Sequence, residues 1–100
     1  MTNFDKVKEF HTKFQCTQNI IPTFISAKDA LLRIRLMNEE LAELVKGMSI
    51  GDMPNIAKEI ADLLYVAYGT AVAYGIEIDQ VFEEVHRSNM TKTPSDTPGS

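Results

Sequence analysis

Residues 52–75 constrain the fold of this 100-residue chain more than any other stretch. Asp52 suits an N-cap, Pro54 suits the first turn of a helix and Gly75 suits the residue just past its end, so the spacing predicts a helix running to Tyr74. Ile56, Ile60, Leu63, Leu64, Ala67, Ala71 and Tyr74 fall on one face of that helix, while Tyr65, Tyr68 and Val72 cover the other. A helix that is apolar all round is buried all round. A chain this short buries only a modest core of its own. The expected fold is therefore all-α, a four-helix bundle-like protomer whose outer side is covered by a further subunit.

The same punctuation places the other helices. Thr2 and Asp5 have the spacing of a capping box, which predicts a first helix over 3–15, with Phe4, Val7, Phe10 or His11, and Phe14 at helical intervals. Residues 17–25 carry Pro22 and no periodic pattern, and read as a connecting loop. Ser26 and Asp29 repeat the capping spacing, so a second helix is expected from 27 to about 46, ended by Gly47. Its main apolar stripe holds Ile34, Met37, Leu41, Leu44, Val45 and Met48. A fourth helix is expected from 79 to 89 or 90 with Val81, Phe82 and Val85 facing inward. That leaves one helical domain over 1–93 and a mobile tail over 94–100.

Composition narrows the function. A net charge of -4 without any basic run argues against a nucleic-acid groove. The uncharged run 63–76 is shorter than the ~20 residues a spanning helix needs. No charged start followed by an apolar core marks a signal peptide. The single Cys16 excludes an internal disulfide and gives no zinc spacing. The expected setting is the cytoplasm, with neither membrane nor nucleic acid as partner.

Two acidic motifs carry the chemistry. Glu40 and Glu43 are three apart, as are Glu59 and Asp62, and on helices this spacing puts each pair on one face. Glu39, Glu40 and Glu43 lie beside a narrow strip containing Leu32 and Leu36, and their i+4 neighbours are Glu43, Leu44 and Gly47, none of them a cation. Two such faces brought together form a nest of oxygen ligands for a hard cation such as Mg²⁺ or Mn²⁺, with coordination positions left for water and phosphate oxygens. The competing arrangement is a structural ion-pair cluster, with Lys58 reaching Asp62 at i+4 and Arg35 or Lys46 pairing at the surface.

Glu39-Glu40-Leu41-Ala42-Glu43 followed after a turn by Glu59-Ile60-Ala61-Asp62 resembles the all-α nucleotide pyrophosphohydrolases, which include MazG-like proteins, dimeric dUTPases and phosphoribosyl-ATP pyrophosphohydrolases. The segments 7–11, 62–70 and 84–92 are similar to the small single-domain MazG-like members, so the resemblance spans nearly all of the chain up to Lys92. It implies a dimer or dimer of dimers, with active sites partly between subunits, that cleaves a nucleoside triphosphate to its monophosphate and pyrophosphate. By position it implies that Glu40, Glu43, Glu59 and Asp62 hold Mg²⁺ and that Glu39 orients or deprotonates the attacking water. It further implies that Asn89 and Lys92 contact the phosphate chain.

No side-chain nucleophile is needed for such chemistry, and Ser88 has no evident activating base. Phe10, Phe14, Tyr65 and Tyr68 suit either base stacking or core packing. Three functions remain open at this point: nucleotide-pool house-cleaning, phosphoribosyl-ATP hydrolysis in histidine biosynthesis, and a non-catalytic helical dimerisation module.

Overall fold

A computed structural model describes residues 1–94; residues 95–100 of the expected tail lie outside the described residues. Four helices follow one another: α1 (Asn3–Lys13), α2 (Ala27–Ile50), α3 (Met53–Tyr74) and α4 (Ile78–Met90), with no strand among the described residues. The all-α expectation holds.

The capping residues set the helix starts. The Thr2 hydroxyl accepts from the Asp5 amide at 3.0 Å, and the Asp5 carboxylate accepts from the Thr2 amide at 3.2 Å, closing the capping box of α1. Ser26 and Asp52 accept from the amides of Asp29 and Asn55 at the heads of α2 and α3. α1 stops two residues short of the expected end, because Gln15 takes a left-handed turn at φ 55° and Cys16 donates back to the His11 carbonyl at 2.9 Å.

The end of α2 corrects the sequence reading more substantially. The helix does not stop at Lys46. It runs on to Ile50, and the left-handed cap is Gly51, at φ 70°. Gly47 lies inside the helix, buried against the start of α3, where an added Cβ would be 3.1 Å from Asn55 Nδ2. Close approach of the two helices outweighs the ~1 kcal/mol that an interior glycine costs.

α3 is the shared wall, packing against both α1 and α2. Phe4, Val7, Ala71 and Val72 form the buried apolar cluster, with Tyr68, Ile76 and Ile78 packed against it. The connecting loop binds the end of α3. Asn19 donates to the carbonyls of Val72 and Ala73, and the Thr23 amide donates to that of Tyr74. These bonds satisfy carbonyls that the last turn of a helix leaves without intrahelical donors.

The sequence reading placed Val81, Phe82 and Val85 inward, but in the protomer they are 46%, 68% and 51% exposed. Only Ile78, at the start of α4, reaches the core, so the remainder of that helix has no apolar surface of its own chain to cover. The main stripe of α2 is likewise open: Ile34, Leu41, Val45 and Met48 are all exposed. The accessible surface is 7560 Å², against about 5,700 Å² for a compact chain of this mass.

The two left-handed glycines make a graded test of the fold. Gly51→Ala meets open space and should cost about 1–2 kcal/mol from the backbone conformation alone. Gly75→Ala adds a collision with the Ile21 carbonyl at a similar φ of 73° and should cost clearly more. Urea unfolding of both variants should rank them in that order.

Candidate functional site

The site is built along the seam between α2 and α3. Arg33 and Glu40 are seven residues apart, which on an α-helix falls about 20° short of two full turns, so they share a face together with Leu36. On α3, Asp62, Val66, Gly69 and Ala73 form the matching row. An acidic cluster occupies one stretch of this groove and a cavity the next.

Glu40, Glu59 and Asp62 each offer a carboxylate oxygen, and the three oxygens lie within 4.8 Å of one another. Glu59 is buried, and its Oε2 has no hydrogen-bond partner. Glu40 and Asp62 are half-buried. The Glu40 carboxyl is raised above its ordinary value, first because a hydrogen bond shared with Glu59 requires it to keep a proton, then by partial burial and by the charges of Glu59 and Asp62. Carboxylates crowded in this way, one with a buried oxygen lacking any donor, suit a hard cation. Among the described residues Lys58 supplies the nearby positive charge, its Nζ standing 2.7 Å from Asp62 Oδ2 and 3.5 Å from Glu59 Oε1. The ion pair expected of a purely structural cluster is therefore formed as well.

Other residues singled out from the sequence stand apart. Glu43 is exposed and lies outside the group of three. The Glu39 carboxylate is 59% exposed, 3.7 Å from Arg35 Nε. Asn89 and Lys92 are exposed and bonded to each other at 3.0 Å, and no hydrogen bond or ion pair joins either to the acids among the described residues.

Beyond Glu40, a cavity of about 430 Å³ opens between α1, α2 and α3. Phe10, Leu32, Leu36, Tyr65 and Val66 form its apolar walls, with the Phe10 and Tyr65 rings edge-on at 5.7 Å. His11 and Arg33 lie in the same lining. The Thr17 carbonyl, 2.9 Å from His11 Nδ1, can only accept, so the proton sits on Nδ1 and Nε2 is bare. Burial lowers the His11 pKa from its ordinary value, partly offset by the Thr17 carbonyl, while the Arg33 charge lowers it further.

Arg33 is the residue that pattern reading overlooked. Its side chain is buried, donating from Nε to Thr70 Oγ1 at 3.3 Å and from Nη2 to the Val66 carbonyl at 2.9 Å. Its seven-residue offset from Glu40 is the signal that could have found it, because that offset puts a cation on the acidic face of α2.

Residues 7–89 match the phosphoribosyl-ATP pyrophosphohydrolase family, and the chain belongs to that family, within the MazG-like all-α pyrophosphohydrolase superfamily that its acidic motifs resemble. It is 30% identical over 82 residues, 78% of its length, to an uncharacterized protein, L479, of Acanthamoeba polyphaga mimivirus. The chain spans about a third of the length of that relative (33%). No helix among the described residues is long and apolar enough to cross a membrane.

The raised Glu40 pKa sets a pH test in metal-free buffer. A carboxyl that holds its proton more tightly folded than unfolded contributes stability below its unfolded pKa and loses it as pH rises through the folded value. Glu40→Gln should therefore gain melting temperature over the parent as pH rises through the folded Glu40 value. At pH 4, where the parent is largely protonated, the gain should vanish.

Proposed function

We propose that this protein hydrolyses the anhydride between the α and β phosphates of a nucleotide, releasing a monophosphate and pyrophosphate, with Mg²⁺ or Mn²⁺ as cofactor. The observation that carries this reading is the buried, unpartnered Glu59 Oε2, held among the carboxylates of Glu40 and Asp62. The cavity on the same groove gives a base and sugar somewhere to go. Nucleoside triphosphates of the nucleotide pool are the first substrate class, in a house-cleaning role. The family matched favours phosphoribosyl-ATP, in histidine biosynthesis, as the second.

In this proposal Glu40, Glu59 and Asp62 hold the cation, and Glu43, a turn beyond Glu40, completes the set. When bound, a divalent cation offsets the charge of the phosphate chain and lowers the pKa of a coordinated water. Glu39 accepts a proton from the attacking water, its exposed contact with Arg35 being too weak to hold it away. Asn89 and Lys92 contact the phosphates after the exposed apolar face of α4 docks in a homodimer or homotetramer. The open stripe of α2 supports the same assembly, since Ile34, Leu41, Val45 and Met48 recur at helical spacing and are all exposed in the protomer.

Pyrophosphate release should be measured over a panel of ribo- and deoxynucleoside triphosphates and phosphoribosyl-ATP, with Mg²⁺ or Mn²⁺. Turnover should need the metal and fall at least ~100-fold in Glu59→Gln. Turnover that survives that change, or survives chelation, would overturn the reading. A non-catalytic module predicts silence across the panel together with a lower melting temperature for Glu59→Gln. Light scattering should give two or four times the 11.2 kDa protomer mass, and a monomer would refute the assembly.

A further inference from the structure

Arg33 is a buried cation for which the chemistry above has no use. Its side chain is only 9% exposed, yet no carboxylate lies within ion-pair distance of it among the described residues. Asp29, one turn earlier on α2 and lining the same cavity, is occupied by the Thr17 hydroxyl at 2.7 Å. A guanidinium carries five N–H donors, and the bonds to Thr70 and Val66 leave part of the fork for the cavity. Burying a charge without a counter-ion is costly, and a tie between two helices could be made by a neutral donor. The fold also clears space for this group. At Gly69 an added Cβ would collide with Arg33 Nη2 and stand 3.1 Å from the bare Nε2 of His11.

Position along the groove says what the guanidinium would meet. Seven residues separate Arg33 from Glu40, about 10.5 Å along α2. That is the scale of a nucleoside from its 5′ oxygen to the far edge of its base. With the cleaved anhydride at the acids and the base between Phe10, Leu36 and Tyr65, the opposite end of the substrate arrives at Arg33.

We propose that Arg33 is a specificity-determining residue whose guanidinium receives paired hydrogen-bond acceptors at the end of the nucleotide remote from the cleaved anhydride. A 6-oxopurine presents such a pair at that distance, through its O6 and N7. The inference rests on the nucleotide reading of the acidic cluster, and its test does not need turnover.

The test is calorimetric binding of GMP, AMP, CMP and phosphoribosyl-AMP, with the α,β-methylene triphosphates in Mg²⁺, to the parent, Arg33→Met and Arg33→Lys. A preference for phosphoribosyl-AMP, whose terminal phosphate lies a ribose beyond the base edge, would overturn the base-edge assignment; the parent should prefer GMP. Arg33→Met should weaken that ligand at least about 10-fold and leave CMP unchanged, with Arg33→Lys between the two. If Arg33→Met does not fold, Gly69→Ala displaces the same guanidinium and should give the same selective loss. Equal weakening of every nucleotide, no weakening, or no nucleotide binding by the parent would overturn the proposal. Arg33-dependent binding without pyrophosphate release counts against hydrolysis alone. Release with an unchanged substrate ranking in Arg33→Met counts against Arg33 alone.

Discussion

Packing α2 against α3 forces three carboxylates to within 4.8 Å of one another, and the remainder of the protomer has to hold that arrangement against its own repulsion. The seam does so at sites on either side. Seven residues before Glu40, Arg33 ties α2 to the Val66 carbonyl and the Thr70 hydroxyl. Seven residues after it, Gly47 lets α2 approach Asn55 and Ile56 closely. Arg33, Glu40 and Gly47 thus form a heptad row made of a cation, an anion and a glycine. A pair of hydrogen bonds at one end of the row and a close glycine approach at the other, rather than an apolar stripe, fix the register in which the acids meet.

That row explains where the apolar residues of α2 went. Ile34, Leu41 and Met48 sit one position after Arg33, Glu40 and Gly47, so they form a parallel heptad row rotated by about 100°. With the polar row in the seam, the apolar row must point elsewhere, and all three of its members are exposed in the protomer. The exposed side of α4 poses the same demand. Apolar periodicity reports which face a helix buries; it does not report whether the covering surface belongs to the same chain. Val81, Phe82 and Val85 have the periodicity of a buried face, and no surface of the same protomer covers them.

Local chemistry was the legible part of this sequence. Thr2 with Asp5, Ser26, Asp52 and Gly75 located three helix starts and one helix end, because a cap satisfies backbone groups within a few residues. Gly47 misled for a non-local reason: the same residue type that ends helices also permits two helices to touch, and only the approach of α3 decides between the uses. Glu40, Glu59 and Asp62 were legible as a meeting group because each motif has i, i+3 spacing and few cations. Glu43 shares that spacing but is exposed and lies outside the group of three, whereas Glu59 and Asp62, also three apart, both enter it, so spacing alone does not decide which acids meet. Arg33 was illegible as a buried group because arginine is ordinarily a surface residue, and its partners are a carbonyl and a hydroxyl more than thirty positions away.

The charge balance of the cluster bears on which of its two readings is the more economical. Glu40, Glu59 and Asp62 bring three negative charges when ionised, and Lys58 brings one positive charge. Lys58 is exposed, approaches from the neighbouring position of α3, and satisfies Asp62 and one oxygen of Glu59 while the buried Oε2 stays without a donor. A structural ion-pair cluster would place its cation where the desolvation is greatest, at Glu59, yet here the shorter contact goes to the more exposed Asp62. The shortfall that remains is two positive charges and one buried oxygen ligand. A divalent ion would supply both together, whereas a second lysine would give the buried oxygen a donor but bring only one of the two charges and leave no vacancy for phosphate oxygens.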